Sequence, residues 1–160
     1  MANVLVAGAT GLLGTALVPL LQSRGHLVTR LSHSSVAEIR ADLTVYEQTI
    51  KALTQAAPDV IINLIALTDV DRCETHPQEA FLLNVRTILN ICSWISSSHP
   101  ICHLLHISTD QVYDGIGPHQ ESQLTILNHY AMSKLAGEMA TAAVPKTILR
   151  TNFVGRSLSK

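Results

Sequence analysis

Short apolar runs alternate with longer segments of helical character along almost the whole chain. The runs have the length of strands, and their continuous hydrophobicity is typical of strands buried on both faces of a parallel sheet. They cover residues 3–7, 27–31, 39–43, 60–65, 101–107 and 146–149. The helical segments cover residues 12–24, 45–56, 77–97 and 128–142. This alternation predicts an α/β fold, a Rossmann-type doubly wound parallel sheet of about six strands with helices on both faces.

Two polar segments interrupt the alternation and are predicted to be loops. Residues 68–75 are mostly charged or polar. Residues 108–127 contain the turn-forming pairs Asp114-Gly115 and Gly117-Pro118. Because binding residues concentrate on loops held by a rigid scaffold, we expect the longer segment to be functional.

A glycine triplet separates the first predicted strand from the first predicted helix. In a dinucleotide-binding βαβ unit, one glycine allows a sharp turn, one lets the backbone approach a pyrophosphate, and one lets the helix pack closely on the strand. The free N–H groups of the helix then bind phosphate. A plain tight turn is the alternative, but the triplet has the strand-to-helix context that phosphate binding requires. The predicted cofactor contacts here are Gly8, Thr10, Gly11, Leu12, Leu13 and Gly14.

Tyr130 and Lys134 lie four residues apart in the last predicted helix and therefore share one of its faces. A free phenol has a pKa of about 10, and a nearby cation lowers that pKa by favouring the phenolate. The tuned phenol can then act as a general acid or base. A helix with a snorkelling lysine has the same spacing, so the pair indicates catalysis only beside a nicotinamide site.

The composition fits one globular domain, with 160 residues, 47% hydrophobic residues and 14% charged residues. The formal net charge of −1 gives no electrostatic basis for binding nucleic acid or an anionic membrane. No apolar run reaches membrane-spanning length, and the N-terminus lacks the basic start of a signal peptide. Three cysteines without C-x-x-C spacing indicate reduced thiols and a cytoplasmic location. The dispersed histidines and the acids of residues 68–75 predict no metal site.

Several sequence motifs occur in the order seen in extended short-chain dehydrogenases/reductases. They are GATGLLG at 8–14, STDQVYDG at 108–115 and YAMSK at 130–134. The chain most closely resembles the dTDP-4-dehydrorhamnose reductase branch of that family. The residues that carry this resemblance are NLIALTDVDRCE at 63–74, the asparagine of LLNV at 82–85, KLAGE at 134–138 and LRTNFVG at 149–155.

The resemblance implies catalytic roles for three side chains. Tyr130 would donate a proton to the substrate carbonyl oxygen, and Lys134 would lower the pKa of Tyr130 and hold the nicotinamide ribose hydroxyls. Thr109 stands where the family has a Ser or Thr that hydrogen-bonds the same oxygen, which gains charge during hydride transfer. Taken by itself, Thr109 is better interpreted as a cap at the end of a strand.

The resemblance also implies further cofactor contacts. Asp42 and Leu43 match a pair that contacts adenine, although Asp42 could instead be a solvated loop acid. The end of the fourth strand would line the cofactor through Asn63, Ala66 and Leu67. Residues 150–152 match the strand end near the nicotinamide.

The end of the second strand predicts a preference for NADP(H) over NAD(H). An acidic residue at this position bonds the ribose 2′-hydroxyl of NAD and repels a 2′-phosphate. The position holds Ser32, flanked by Arg30 and His33, without a carboxylate. We therefore expect these three residues to contact NADP, with NAD as the alternative cofactor. Arg30 could instead point into solvent, because strand side chains alternate.

Family members are nearly twice as long as this chain. The resemblance therefore implies that residues 1–160 form an NAD(P)-binding Rossmann domain and that the C-terminal substrate domain is largely absent. The expected function is NADP-dependent reduction of a nucleotide-linked 4-keto-deoxysugar, impaired by the short length. The alternative is a non-catalytic module similar to the regulatory beta subunit of methionine adenosyltransferase. Either function is compatible with a homo-oligomer or a partner protein.

Overall fold

Six strands form a single, entirely parallel sheet in the computed structural model, which describes residues 1–33 and 36–152. Their spatial order is β3-β2-β1-β4-β5-β6, which is the order of a dinucleotide-binding Rossmann sheet. The fold prediction is therefore confirmed. The strands are β1 (Asn3–Ala7), β2 (Leu27–Ser32), β3 (Ile39–Arg40), β4 (Val60–Asn63), β5 (His103–Thr109) and β6 (Lys146–Thr151).

Helices cover both faces of the sheet because the side chains of each strand alternate between the two faces. In β1, Leu5 belongs to the core cluster formed with the α2 and α5 helices, whereas Val4 and Val6 pack with Val18 of α1. The helices are α1 (Leu12–Ser23), α2 (Tyr46–Ala56), α3 (Val70–Thr75), α4 (Pro77–Phe81), α5 (Thr87–Ser98) and α6 (His129–Ala140). A 3₁₀ turn at Asp110–Val112 follows β5.

The segment at residues 68–75, predicted to be a loop, instead contains helix α3. Its N-cap is Asp69, whose carboxylate accepts a hydrogen bond from the Arg72 amide at 2.9 Å. One buried side chain, Cys73, anchors the short helix. A helix with so few apolar positions shows no hydrophobic period, and the cap is its main sequence signal.

The predicted third strand and the predicted long helix are also revised. The strand ends at Arg40, because the Asp42 carboxylate accepts hydrogen bonds from the Thr44 amide and hydroxyl and turns the chain. The helix predicted at 77–97 contains a π-helical turn, Leu82–Arg86, between α4 and α5. Such turns are frequent at functional sites.

Candidate active site

The glycine triplet forms a turn between β1 and α1 in which each glycine has a different role. Gly8 has a φ of +82°, and a Cβ atom there would lie 3.2 Å from the backbone of Leu64 and Ile65. A Cβ atom on Gly14 would lie 2.5 Å from the Ala9 backbone, so only glycine allows this helix–strand approach. Gly11 is the N-cap of α1 and supplies no side-chain cap. The N–H groups of the first helical turn are therefore available to an anion.

A cleft of about 750 Å³ opens at the carboxyl ends of the strands, above this turn. Its lining brings together nine of the predicted site residues: Gly8, Gly11, Leu12, Leu13, Gly14, Ala66, Thr109, Tyr130 and Lys134. Thr151 and Asn152, from the strand end expected near the nicotinamide, also line it. The remaining lining residues, which were not predicted, are Ala16, Leu64, Thr68, Ile107, Ser108, Asp110 and Gln111. Most of these follow or end β4 and β5, and their position after a buried strand is the sequence signal that could have identified them.

Tyr130 lies in the first turn of α6. This turn is held by the N-cap of the helix and by hydrogen bonds to the π-helical turn. Asn128 caps the helix by accepting a hydrogen bond from the Ala131 amide at 2.7 Å. The Tyr130 carbonyl accepts a hydrogen bond from the Ser133 hydroxyl, and that hydroxyl accepts one from the Asn84 amide at 2.8 Å. The phenol is buried, with 8% exposure. The π-helical turn that carries Asn84 thus supports the helix that carries Tyr130.

The predicted lowering of the Tyr130 pKa by Lys134 is not what the structure shows. Burial raises the pKa of the Tyr130 phenol, and hydrogen bonding to Thr109 opposes the rise. Lys134 shares the helix face with Tyr130, but its ammonium donates a hydrogen bond to the Ile107 carbonyl at 2.7 Å. The phenol is therefore held in its protonated form, as a proton donor requires.

Lys134 is 2% exposed, and burial lowers the pKa of its ammonium to about 8. The charge of Glu138, one helical turn further along α6, partly opposes this shift. The imidazole of His106 is also buried, and this burial, together with the charge of Lys134, lowers the pKa of His106 to about 3. His106 is therefore neutral at physiological pH and adds no competing charge.

An ion pair between the buried Glu138 and the partly buried Arg150 ties α6 to the last strand. The Glu138 carboxylate accepts hydrogen bonds from Arg150 Nη2 at 2.7 Å and Nε at 3.0 Å, and from the Ser108 hydroxyl. Arg150 Nη1 also donates to the Tyr113 hydroxyl at 2.7 Å. Because Ser108 directly precedes Thr109, this network holds the end of β5 against the helix of Tyr130 and Lys134.

A second cavity, of about 230 Å³, holds three of the residues expected near the adenosine: His33, Asp42 and Leu43. His33 Nε2 lies 3.8 Å from an Asp42 carboxylate oxygen. The lining also includes Ile65 and Leu82, so the cavity is apolar as well as polar. A flat aromatic base suits such a pocket.

Five other predicted contacts have different surroundings: Thr10, Arg30, Ser32, Asn63 and Leu67. The Arg30 guanidinium is paired with Glu38, with Nη2 2.6 Å from a carboxylate oxygen. The Ser32 hydroxyl lies 3.4 Å from the Thr10 hydroxyl, so that the end of β2 contacts the glycine turn. Asn63 is buried, with its amide nitrogen 3.3 Å from His106 Nδ1.

The backbone of Leu67 is hydrogen-bonded to the side chain of Asn84. Its N–H donates to the Asn84 side-chain oxygen at 2.7 Å, and its carbonyl accepts from the Asn84 amide at 3.1 Å. Sequence analysis assigned no role to Asn84, and this long-range bridge explains its place in the motif. The end of the LRTNFVG stretch, residues 153–155, lies outside the described residues.

Two further observations concern membranes and metals. Within residues 1–33 and 36–152, no helix is both long and apolar enough to cross a membrane. The same residues contain no group of three or more His, Cys, Asp or Glu side chains placed to hold a metal ion. All three cysteines are buried free thiols, and burial raises the pKa of Cys92 and of Cys102 to about 11.

Comparison with known proteins assigns the chain to a family. Residues 1–157 match the RmlD substrate binding domain family. The dTDP-4-dehydrorhamnose reductase of Salmonella typhimurium is 36% identical over 157 residues, covering 95% of this chain and 51% of the relative. The probable low-salt glycan biosynthesis reductase Agl14 of Haloferax volcanii is 34% identical, covering 93% of this chain and 52% of the relative. The chain thus spans about half the length of these relatives.

Solved structures show the same relationship. A hypothetical dTDP-4-dehydrorhamnose reductase from Sulfolobus tokodaii superimposes with a TM-score of 0.83 at 35% identity, covering 92% of this chain and 55% of that chain. The Bacillus anthracis dTDP-4-dehydrorhamnose reductase, in complex with NADP, gives a TM-score of 0.80 at 26% identity, covering 93% and 52%. This chain belongs to the RmlD substrate binding domain family, among the relatives of dTDP-4-dehydrorhamnose reductases.

Proposed function

We propose that residues 1–160 form the NADP(H)-binding Rossmann domain of a reductase that acts on a nucleotide-linked 4-keto-deoxysugar. The observation that carries the proposal is the meeting of Thr109, Tyr130 and Lys134 in one cleft with the glycine turn. Relatives named as dTDP-4-dehydrorhamnose reductases, one of them in complex with NADP, support the choice of substrate and cofactor.

The residues present fit a dinucleotide. The pyrophosphate would lie on the first turn of α1, where Gly11 leaves the approach open. The adenine would enter the smaller cavity beside Asp42 and Leu43. The ribose next to the nicotinamide would be held by the Lys134 ammonium, which lines the larger cleft.

Bound NADPH would supply the hydride for reduction of the keto group. Tyr130, protonated because burial raises its pKa, donates a proton to the carbonyl oxygen. Thr109 donates a hydrogen bond to the same oxygen, which stabilises the charge that develops there. The Glu138–Arg150 pair keeps the strand end of Thr109 and the helix of Tyr130 at a fixed separation.

The location and the assembly belong to the same proposal. We place the protein in the cytoplasm, where the three buried free thiols stay reduced. Its small-molecule partner is the sugar nucleotide, and its protein partner is a second copy of the chain or another protein.

A second candidate function, a cofactor-binding regulatory module, is favoured by one observation. The Lys134 ammonium donates its hydrogen bond to the Ile107 backbone carbonyl, which directs it to strand β5 rather than to the Tyr130 phenol. A module that binds the cofactor without turning over substrate would have the same binding residues. The two candidates differ in turnover and agree in cofactor affinity.

The test is titration of NADPH and NADH into the purified chain, followed by NADPH oxidation with a dTDP-4-keto-sugar. A reductase oxidises NADPH only when the sugar is present, and Tyr130→Phe keeps cofactor affinity while turnover falls by about 10²–10⁴. Cofactor binding with no NADPH oxidation above the rate of the Tyr130→Phe variant would support the regulatory module. A chain that binds neither dinucleotide would refute both candidates.

A further inference from the structure

Two arginines flank the carboxyl end of β2, one on each side of Ser32. Arg30 precedes Ser32 by two residues on the same strand, and Arg40 stands beside Ser32 in the parallel register of β3. Their neighbours Leu31 and Ile39 are buried in the core cluster of α2 and α5. Because strand side chains alternate, Arg30, Ser32 and Arg40 project to the opposite face. Both arginines are therefore candidates for contact with the adenosine ribose.

The Arg30 guanidinium is bound to Glu38 by several hydrogen bonds. Nη2 lies 2.6 Å from one carboxylate oxygen, and Nε lies 2.8 Å from the other. The second oxygen also accepts the Arg30 backbone N–H at 2.9 Å. Glu38 directly precedes β3, level with Arg30 and one step back from the carboxyl end of the sheet. The carboxylate thus holds the Arg30 side chain away from the edge where the cofactor lies.

Arg40 has a different environment at the edge itself. Its Nε donates a hydrogen bond to the His33 carbonyl at 3.2 Å, and the residue is exposed. His33 lines the smaller cavity, while Ser32 contacts Thr10 of the glycine turn. A dinucleotide with its pyrophosphate on that turn and its adenine in that cavity must place its ribose over the end of β2. Arg40 stands at this level of the sheet.

From these contacts we infer that Arg40, rather than Arg30, recognises the 2′-phosphate of NADP and sets the preference for NADP over NAD. Glu38 has the complementary role of binding the Arg30 guanidinium and so keeping it away from the 2′-phosphate. The inference rests on the proposed cofactor site, and it identifies the specificity-determining cation within that site. The planar guanidinium suits the task because its Nη groups can pair with two phosphate oxygens while Nε holds the orientation.

The experiment compares two matched substitutions, Arg40→Gln and Arg30→Gln, by calorimetric titration of the folded chain. The ligands are NADPH and NADH, together with adenosine 2′,5′-bisphosphate and 5′-AMP, which isolate the 2′-phosphate from the nicotinamide. We expect Arg40→Gln to weaken the binding of NADPH and of the bisphosphate by about tenfold or more, which is the scale of one charge-assisted hydrogen bond. NADH and 5′-AMP should stay near the parent affinities. Arg30→Gln should leave all four affinities near the parent values.

Three outcomes would overturn the inference. If Arg30→Gln selectively lost affinity for NADPH while Arg40→Gln kept the parent affinity, recognition of the 2′-phosphate would be assigned to Arg30. Equal loss of NADPH and NADH in Arg40→Gln would show a general effect on the site. Failure of the parent chain to bind any of the four ligands would refute the proposed function itself, and is thereby distinguished from the other two.

Glu38→Gln tests the withholding role separately. Both partners of the Arg30–Glu38 pair are partly exposed, so the substitution should preserve the fold. Once released, Arg30 can reach towards the edge, and the ratio of NADPH to NADH affinity should rise. A ratio equal to that of the parent would contradict the role of Glu38.

Discussion

Burial favours the neutral forms of both Tyr130 and Lys134, although these groups carry opposite charges when ionised. For Tyr130 the result suits the proposed role of proton donor, because the phenol would keep its proton until a carbonyl oxygen takes it. For Lys134 the result is a cation whose charge is lost close to physiological pH. Glu138 limits that loss, which gives its buried carboxylate an electrostatic as well as a structural effect.

The first prediction at this scale is that NADPH affinity falls as the pH rises through about 8. Below this pKa, Lys134 is protonated and can donate to the ribose hydroxyls, and above it the ammonium form is progressively lost. Linkage limits the slope to about tenfold per pH unit for one proton. Affinity measured by titration from pH 6.5 to 9.5 tests this. Lys134→Met should bind weakly with little dependence on pH, and a parent-like slope in that variant would assign the proton to another group.

The same shift has a consequence of opposite sign for folding. An unfolded lysine has a pKa of about 10.4, so between pH 8 and 10.4 the unfolded chain binds more protons than the folded chain. The contribution of Lys134 to the free energy of unfolding therefore rises with pH in that window. Cys92 and Cys102, whose pKa values are raised to about 11, lower the stability over part of the same window. The Lys134 contribution should therefore be measured as the difference between the parent chain and Lys134→Met, which lacks it.

At the scale of elements, the seven residues 8–14, from the turn between β1 and α1 into α1, contain one glycine whose absent side chain serves ligand binding and another whose absent side chain serves packing. A Cβ atom on Gly11 would meet the Gly8 carbonyl oxygen at 3.4 Å, an ordinary contact, and its φ of −77° suits any residue. A Cβ atom on Gly14 would overlap the Ala9 backbone at 2.5 Å. Gly11 therefore leaves room for a ligand, whereas Gly14 is required for the packing of α1 against the Ala9 backbone.

We therefore expect Gly11→Val and Gly14→Val to fail in different ways. Gly11→Val should fold, with a cap penalty of about 1 kcal/mol, and lose NADPH binding because the side chain blocks the approach of the phosphate. Gly14→Val should lose about 1–3 kcal/mol or more through overpacking. Thermal melts and NADPH titrations of both variants test this. A Gly11→Val variant that folds and binds like the parent would contradict the phosphate-turn interpretation.

At the scale of the whole molecule, the two sheet faces are covered unequally. The α2, α5 and α6 helices pack on one face, whereas among the described residues α1 covers the other face near β1 and β2. Beyond α1, side chains of β5 and β6 lie on that second face, including Leu105 and Leu149, and Leu149 is 44% exposed. Strand β6 also forms an edge of the sheet within the described chain. Apolar surface beside an open edge favours association.

We predict that the 160-residue chain, expressed by itself, self-associates through this surface and reduces sugar nucleotides poorly. Light scattering should give a mass that rises with concentration. Leu149→Lys should lower that mass, because a charged side chain on an edge strand opposes pairing. Leu127→Lys, at a 68% exposed loop position, is the matched control and should not lower it. A monomeric parent with robust turnover would refute the prediction.

The order and class of the elements could be predicted from local sequence patterns. Hydrophobic period and glycine spacing are local properties, so the six strands, four of the helices and the glycine turn could be predicted from neighbours in the chain. The same locality explains the errors. The helix α3 has too few apolar positions to show a period, and the π-helical turn is accompanied by contacts of Asn84 with Leu67 and Ser133, 17 and 49 residues away.

The pairing of charged groups and the direction of their pKa shifts, in contrast, depend on contacts that form only in the folded chain. Glu38 pairs with Arg30, and Glu138 pairs with Arg150, because the parallel sheet brings separate segments together. Tyr130 and Lys134 share a helix face as predicted, yet burial has the largest effect on the pKa of each. The physical reason is that desolvation depends on everything packed around a side chain, whereas spacing along a helix reports only its nearest neighbours.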